Sequence, residues 1–361
     1  MIPVTPSGDS RSRIRELLRQ ALTTPRFILC WLAIWLSAVL TVDYYDRIEA
    51  PGMNDRIALH HGIVTGSAPY QFRYRILTPY IADGTARLLQ HLPIVRTRPS
   101  MQLRPYSELA FTLAYCFLNL LALITLFWSL GELLWRLFRY DLALCGVALS
   151  AMLVSFTFRD HYFQPWSFWE GAFFALGLLL IHRRRYALFS GVSLLGLLNR
   201  ETSVFLLVAF LFTALPQDMS REGLRRAARS RDLRFAVGNL AVWVAGFFIL
   251  HAVVGYRPST FFLETALRGN RAHVGYALIL NALFIGLISP LVIAGIRRSP
   301  PLIRRSALMM PAYLGLLLVI GFWWEVRYWI TLLPIVVPGL VAALANAAPP
   351  KELEVTLSAP G

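Results

Sequence analysis

The sequence predicts an all-α, polytopic integral membrane protein with about ten transmembrane helices, and three observations predict it. Hydrophobic residues make up 57% of the 361 residues and charged residues only 15%, whereas a soluble domain carries about 25% charged residues. Apolar stretches close to the ~20 residues that cross a bilayer recur along the chain. Arginines are concentrated in the short segments between those stretches, as is typical of cytoplasmic loops.

Ten helices can be placed on the apolar stretches, so that residues 27–347 form a single transmembrane domain. We expect them at 27–45, 107–131, 141–158, 165–181, 186–198, 202–215, 235–254, 276–296, 306–323 and 328–347. A basic N-terminus, residues 1–26, precedes the first helix, and a polar tail, residues 348–361, follows the last. A long outer loop, residues 46–106, separates the first two helices, and its mixed stretch from Ile76 to Leu92 favours interfacial helices.

The net charge of +15 comes almost entirely from arginine, since Lys351 is the only lysine. Most of the arginines fall on segments predicted to be cytoplasmic, where they would face anionic lipid. The pattern argues against a nucleic-acid partner and predicts both termini in the cytoplasm, in a bacterial cytoplasmic (inner) membrane. An ATP-driven transporter is disfavoured, because the basic loops show no glycine-rich phosphate-binding motif.

Charged residues interrupt the apolar tract that holds the fifth and sixth predicted helices. The stretch GLLNRETSVFL, residues 196–206, lies between two apolar arms of thirteen residues, each rising about 20 Å, which is short of the ~30 Å hydrocarbon core. Because the arginine clusters on both sides are predicted to be cytoplasmic, the NRET turn should lie at membrane depth. Ionisable residues at that depth indicate a site. The alternative is an Arg200–Glu201 pair or an Asn199 cap that merely ends two helices.

Three further polar clusters are predicted to face the outer side of the membrane. The long loop carries carboxylates that suit a general base or metal ligands, and arginines whose planar fork suits phosphate. These residues are Asp43, Asp46, Asp55, His60, His61, Arg73 and Arg75. Before the fourth helix, Asp160 and His161 could bind a divalent metal or relay a proton. Glu325 and Arg327 stand at the outer start of the last helix.

Short motifs in these clusters resemble those of the type-C (GT-C) polytopic glycosyltransferases. Asp55, followed by a helix-like stretch ending in Gly66 and APY, resembles their first outer loop. EVRYWITLLPIVVP, residues 325–338, is similar to the pattern that often closes their membrane core, and the NRET turn resembles their pair of short helices around a mid-membrane polar residue. The resemblance covers about residues 27–347. A single Asp55 stands where many members carry an acidic pair, and no large outer domain is expected after the last helix.

The resemblance implies that a sugar moves, with inversion, from a polyprenyl-phosphate donor to an acceptor at the outer face of the membrane. In that chemistry Asp55 is the expected base, and Asp160 and Glu201 are further catalytic candidates. The lipid phosphate would be bound by Arg73, Arg75, Arg200 and Arg327, and the orienting residues would be His161, Glu325 and Tyr328. Glu201 could also orient an arginine. A divalent metal, the sugar and the acceptor are left open.

Two other functions stay open at this point. A secondary transporter or lipid flippase also uses broken helices with charges at mid-depth, although we expect no matching broken segment in the second half of the chain. A non-catalytic membrane assembly partner would need helix faces of small residues, and the tracts here are mostly leucine, phenylalanine and alanine.

Overall fold

A computed structural model describes residues 24–96, 106–158, 166–216, 220–255, 268–323 and 325–347. Every regular element within these ranges is helical, which confirms the all-α prediction. Most of the basic N-terminus and the tail from residue 348 lie outside the described residues. Asp160 and His161 lie outside them as well.

The helices that these ranges contain vary from 4 to 30 residues in length. In chain order they are α1 Pro25–Tyr44, α2 Met53–Val64, α3 Tyr70–Arg73, α4 Leu77–Leu89, α5 Glu108–Leu137, α6 Tyr140–Thr157, α7 Trp166–His182, α8 Tyr186–Asn199, α9 Val204–Ala214, α10 Arg221–Arg229, α11 Arg231–Val254, α12 Val274–Asn281, α13 Ser289–Arg298, α14 Pro301–Ser306, α15 Met310–Ile320 and α16 Leu333–Ala347. Single π-helical or 3₁₀ turns join some of them, at Tyr45–Glu49, Glu201–Ser203, Ala282–Gly286, Ala307–Met309 and Val326–Leu332.

Six described segments are long and apolar enough to cross a membrane. They are Pro25–Ile48, Glu108–Leu137, Tyr140–Thr157, Arg231–Val254, Pro301–Val319 and Val326–Ala345. The helices α7, α8 and the segment Glu201–Ala214 are apolar but shorter. The chain is therefore a membrane-embedded helical protein, while the count of about ten crossings stays a prediction.

Arginines that are far apart in sequence meet at one end of the bundle, called here the basic end. Arg26 at the start of α1, Arg136 at the end of α5 and Arg183 after α7 line one cavity. Arg184 and Arg305 line a neighbouring cavity. The arginines of four loops thus lie on one side, as their sorting in the sequence predicts, because neighbouring short loops on one side share their charge bias.

The two short helices α8 and α9 form a hairpin whose open end lies at the basic end. Tyr186 at the start of α8 stacks on Phe210 near the end of α9, with ring centroids 5.3 Å apart. At the other end Gly196 approaches Ser203 so closely that a β-carbon at Gly196 would lie 2.9 Å from that of Ser203. The break at residues 199–203 is therefore the closed end of the hairpin, as the NRET sequence predicts.

This closed end lies well below the far end of α5. Arg183, just before α8, pairs with Glu132 near the inner end of α5, and α5 packs along α7, which packs along α8. From Glu132 the helix α5 rises about 36 Å to its first residue, whereas α8 rises only about 20 Å to Asn199. The hairpin thus stops about 15 Å short, and helices of the long loop occupy the space above it.

A second interrupted segment lies in the later part of the chain, contrary to expectation. The single predicted helix 276–296 consists of α12, the π-helical turn Ala282–Gly286 and α13. The interruption, ALFIGLI, is entirely apolar, so its sequence carries none of the polar signals that mark the NRET turn. The expectation that no second broken segment exists was wrong.

Candidate functional site

Asn199, the last residue of α8, connects the closed end of the hairpin to two other elements. Its Nδ2 donates to the backbone oxygen of Trp166, the first residue of α7, at 2.8 Å. Its Oδ1 accepts a hydrogen bond from Thr78 Oγ1 of α4 at 3.1 Å. All of these groups are buried. A polar side chain that ends α8 therefore also holds the long loop against the membrane core.

Arg200 is buried and pairs with Glu170 of α7 rather than with the adjacent Glu201. Its Nη1 lies 2.8 Å from Glu170 Oε2, and the hydroxyl of Thr202 donates to the other oxygen of the same carboxylate. The Arg200 backbone is extended, at φ −169°, which turns the chain out of α8. The proposed Arg200–Glu201 pair was wrong, because a residue thirty positions away on α7 supplies the carboxylate.

The segment Val326–Leu332 brings a second buried arginine to the same place. Arg327 binds Glu325 Oε2 through Nε at 3.1 Å and Nη2 at 2.5 Å. The Tyr328 ring lies against two arginines, with its centroid 5.1 Å from Cζ of both Arg200 and Arg327. The structure therefore gives Glu325 and Tyr328 contacts that suit the orienting role predicted for them.

The close approach of this segment to α7 depends on a glycine. Gly171 follows Glu170, and a β-carbon at that position would clash with Ile330. Without a side chain there, the 3₁₀ turn lies directly on α7, so that Tyr328 and Arg327 lie beside the Glu170–Arg200 pair. Sequence reasoning noted that Glu170 falls in an apolar run but gave it no role.

Arg75 of the long loop is the third buried arginine at this site. Its guanidinium lies over the rings of Phe72 and Trp166, at 5.2 and 5.3 Å. Burial lowers the pKa of Arg75 to about 10, with the positive charges of Arg200 and Arg327 acting in the same direction and Glu201 opposing them. We call Arg75, Arg200 and Arg327 the arginine cluster.

Two nitrogens at or near the cluster are buried donors without a partner. Nη1 of Arg327 and Nε of Arg73 make no hydrogen bond to the part of the chain that the structure describes. Leaving a buried charged donor unsatisfied is costly, and such groups in native structures usually bind something. An anion entering this space could accept from Arg327 Nη1 without breaking the Glu325 pair.

The acidic candidates are arranged differently from the arginines. Asp55 lies in the first turn of α2 and is exposed, and the contacts that join the arginine cluster do not include it. Glu201 is half-buried beside the cluster, where its charge acts on Arg75. Asp43 pairs with Arg47 at 2.7 Å, and Asp46 is exposed. Within the described ranges no three His, Cys, Asp or Glu side chains are close enough to bind a metal ion.

Sequence reasoning missed two buried groups on α2 that fix the long loop. Arg56, next to Asp55, donates to the Tyr44 hydroxyl at 3.1 Å and lies over the Tyr115 ring. His60 has Nδ1 2.9 Å from the Tyr115 hydroxyl and Nε2 2.7 Å from that of Tyr106. The alternation of these residues with Met53, Ile57 and Ile63 on one helical face was the available signal.

The environment of His60 keeps its imidazole neutral. Burial lowers the pKa of His60 to about 4, with Asp83 acting against this effect and Arg56 adding to it. Burial also raises the pKa of Tyr106, whose hydroxyl bonds Asp83. The neutral network joins α2, α4 and α5 above the arginine cluster. No family model, curated protein or solved structure matches the chain.

Proposed function

We propose that the protein is a membrane glycosyltransferase that moves a sugar from a polyprenyl-phosphate donor to an acceptor at the outer face of the membrane. The observation that carries the proposal is the arginine cluster, three buried guanidinium groups with one unpartnered donor on Arg327. Arginine binds phosphate through a planar fork and is the residue best suited to that ligand.

The charge of the reaction supports a cluster of this kind. A polyprenyl-phosphate sugar is a phosphodiester with one negative charge, while the departing polyprenyl phosphate approaches two. Donors fixed in a buried site stabilise charge that develops in the transition state more than charge in the ground state. Glu170 and Glu325 hold two of the arginines in place through the pairs described above, so the guanidinium groups are pre-arranged for the leaving phosphate.

The reaction itself is a direct displacement at the anomeric carbon. A carboxylate takes the proton of the acceptor hydroxyl, its oxygen forms the new glycosidic bond, and the bond from the anomeric carbon to the phosphate oxygen breaks with its electron pair leaving on the phosphate. The anomeric centre is inverted. Asp55 is the base implied by the family resemblance, and Glu201 is the carboxylate nearest the cluster.

The depth of the site suits a substrate that is itself a lipid. The closed end of the hairpin lies about 15 Å below the far end of α5, and residues of the long loop, including Thr78 and Arg75, close over it. A polyprenyl chain would stay in the bilayer while its phosphate reaches the arginines. In this arrangement the basic end faces the cytoplasm, both termini are cytoplasmic, and the membrane is the bacterial inner membrane.

A lipid flippase or secondary transporter is the second candidate, and the two interrupted segments favour it. Broken helices in both halves of a chain are typical of transporters. The two breaks differ, however, because the second one carries no charged residue. A flippase would bind the same lipid phosphate without breaking a bond, so turnover of the donor separates the two functions.

The proposed function is tested with purified, reconstituted protein and a panel of polyprenyl-phosphate sugars and acceptors. We expect release of polyprenyl phosphate with at least one donor. Asp55→Asn should lower turnover roughly 10²–10⁴-fold while donor affinity stays unchanged, and the matched Asp46→Asn, at an exposed carboxylate of the same loop region, should be silent. If Glu201→Gln alone abolishes turnover, Glu201 is the base. Turnover that survives both substitutions would exclude a carboxylate base at either position.

A further inference from the structure

A cavity at the basic end lies on the opposite side of the bundle from the arginine cluster. It has a volume of about 650 Å³ and is lined by Arg26, Trp128, Glu132, Arg136, Arg183 and Arg185. Cavities of roughly 300–1,000 Å³ are typical of small-molecule sites. The lining comes from α1, α5 and the connection between α7 and α8, so it is formed by the tertiary fold rather than by one loop.

The charges of this cavity are strongly unbalanced. Four arginines face one carboxylate, Glu132, which is buried and binds both Arg136, at 2.9 Å from Nε, and Arg183. Glu132 thus holds two guanidinium groups in place and neutralises one charge. Arg26 lies over the Trp135 ring at 5.4 Å from its centroid. Among the described lining residues the remaining formal charge is +3, which suits an anion with several oxygens.

Apolar surface next to the arginines indicates where the rest of the ligand lies. Trp128 lines the cavity and is 36% exposed. Within the next turns of α1 after Arg26, Trp31 and Trp35 are exposed and stacked, with centroids 6.3 Å apart. Tryptophan beside arginine at the end of a membrane-spanning helix is typical of the bilayer interface. A ligand with a charged head and an apolar tail fits both surfaces.

We propose that this cavity binds the phosphate of an anionic phospholipid from the adjacent leaflet. Basic cavities between helices at the cytoplasmic side are suited to such headgroups. The arginines bind the phosphate, and the acyl chains lie along the exposed tryptophans of α1. The bound lipid links α1, α5 and the base of the hairpin. The inference does not depend on any enzymatic activity of the opposite side.

The proposal is tested by titrating the purified full-length protein, in neutral detergent, with phosphatidylglycerol and measuring affinity from thermal stabilisation. Each arginine near lipid contributes enough that its loss should weaken binding roughly fivefold. Arg26→Gln should therefore weaken binding about fivefold and Arg26→Gln with Arg185→Gln about 25-fold. Neither residue pairs with Glu132, so the buried carboxylate keeps its partners. Should the double variant fail to fold, the single variant decides.

The matched control is Arg225→Gln with Arg229→Gln on α10, which removes the same charge from exposed arginines outside the cavity. It should change affinity less than about twofold, because distant exposed charges are screened. Equal losses in the control and the cavity variant, or unchanged affinity in the cavity variant, would overturn the site. Inorganic phosphate at the same concentration should not stabilise the protein. If it stabilises as well as the lipid, the ligand is a soluble phosphate and the lipid assignment is wrong.

Discussion

The two interrupted segments of this protein differ in what fills the interruption. At the hairpin, Asn199, Arg200 and Thr202 are buried and each bonds a residue of another element. At the second break, Leu283 and Leu287 are 61% and 70% exposed, as expected of side chains that face lipid. An interruption of a helix leaves backbone groups to be satisfied in both places, but only the first adds buried charge.

This difference shows that a broken helix does not by itself mark a functional site. The second break needs only a local solution: Asn281 donates to the Trp323 backbone oxygen at 2.5 Å and accepts from Trp329 Nε1 at 3.3 Å. The first break organises charges from α7, the long loop and the segment before α16. Buried ionisable groups at membrane depth persist where they are paired and have a function.

The largest difference between the breaks should appear on removing Glu170. Glu170→Gln keeps the shape of the side chain but leaves Arg200 buried without its counter-charge, which should cost roughly 3–5 kcal/mol of unfolding free energy. The measurement is unfolding of the purified protein by heat and by denaturant. Leu283→Ala at the second break is the control, and should cost less than about 0.5 kcal/mol, as is usual for exposed positions.

If Glu170→Gln and Leu283→Ala have equal effects, the hairpin charges are not a coupled buried pair. The comparison between the two breaks would then rest on sequence alone. A partial rescue by Arg200→Met in the Glu170→Gln background would support the pair, because replacing both charges by apolar groups removes the unpaired ion.

Acid should loosen the helices above the first break and leave the second unchanged. The unfolded chain protonates histidine near pH 6.5, whereas His60 in the folded protein protonates only near pH 4. The contribution of neutral His60 is therefore complete above pH 6.5 and declines as the pH falls toward 4, by roughly 3 kcal/mol in all. Hydrogen exchange of α2 and α4, compared with α12 and α13, measures it.

The His60→Gln variant provides the control for this acid effect. It should show little change in α2 exchange between pH 6.5 and 4, because the titrating group is absent, whereas His61→Gln, at an exposed histidine, should behave like the wild type. A pH dependence that persists in His60→Gln would assign the effect to another group.

The smallest expected difference is between the two asparagines at the breaks. Asn199→Ala removes the bonds to Thr78 and to the Trp166 backbone and leaves buried partners unsatisfied, at a cost of about 1–3 kcal/mol. Asn281→Ala, at a half-buried site, should cost about 1 kcal/mol. Limited proteolysis of the long loop should accelerate only in Asn199→Ala. Equal acceleration in both variants would show that Asn199 does not hold the loop.

The sequence was sufficient for features that depend on local composition. The apolar arms and the NRET residues between them predict the short hairpin, and Glu325, Arg327 and Tyr328 are neighbours in the chain and in space. The sorted arginines predict a basic end. In each case the physical cause acts within one segment or through the membrane, which constrains every segment in the same way.

Pairings across the bundle could not be predicted in this way. Glu170 as the partner of Arg200 depends on how α7 packs against α8, and on Gly171 admitting Ile330 beside it. Thr78 as the partner of Asn199 depends on the path of the long loop. The second interruption was missed because its residues are apolar and fit a continuous helix equally well.

The most direct test of the central claim, that the arginine cluster binds a lipid phosphate, compares two ligands that differ only in that phosphate. Dissociation constants of polyprenyl phosphate and polyprenol are measured for the wild type and for Arg327→Lys, which keeps the charge beside Glu325 but removes Nη1. The wild type should prefer the phosphate roughly tenfold to 100-fold, and Arg327→Lys should lose about tenfold of that preference while binding polyprenol unchanged. Equal affinity of the wild type for the two lipids would contradict the claim.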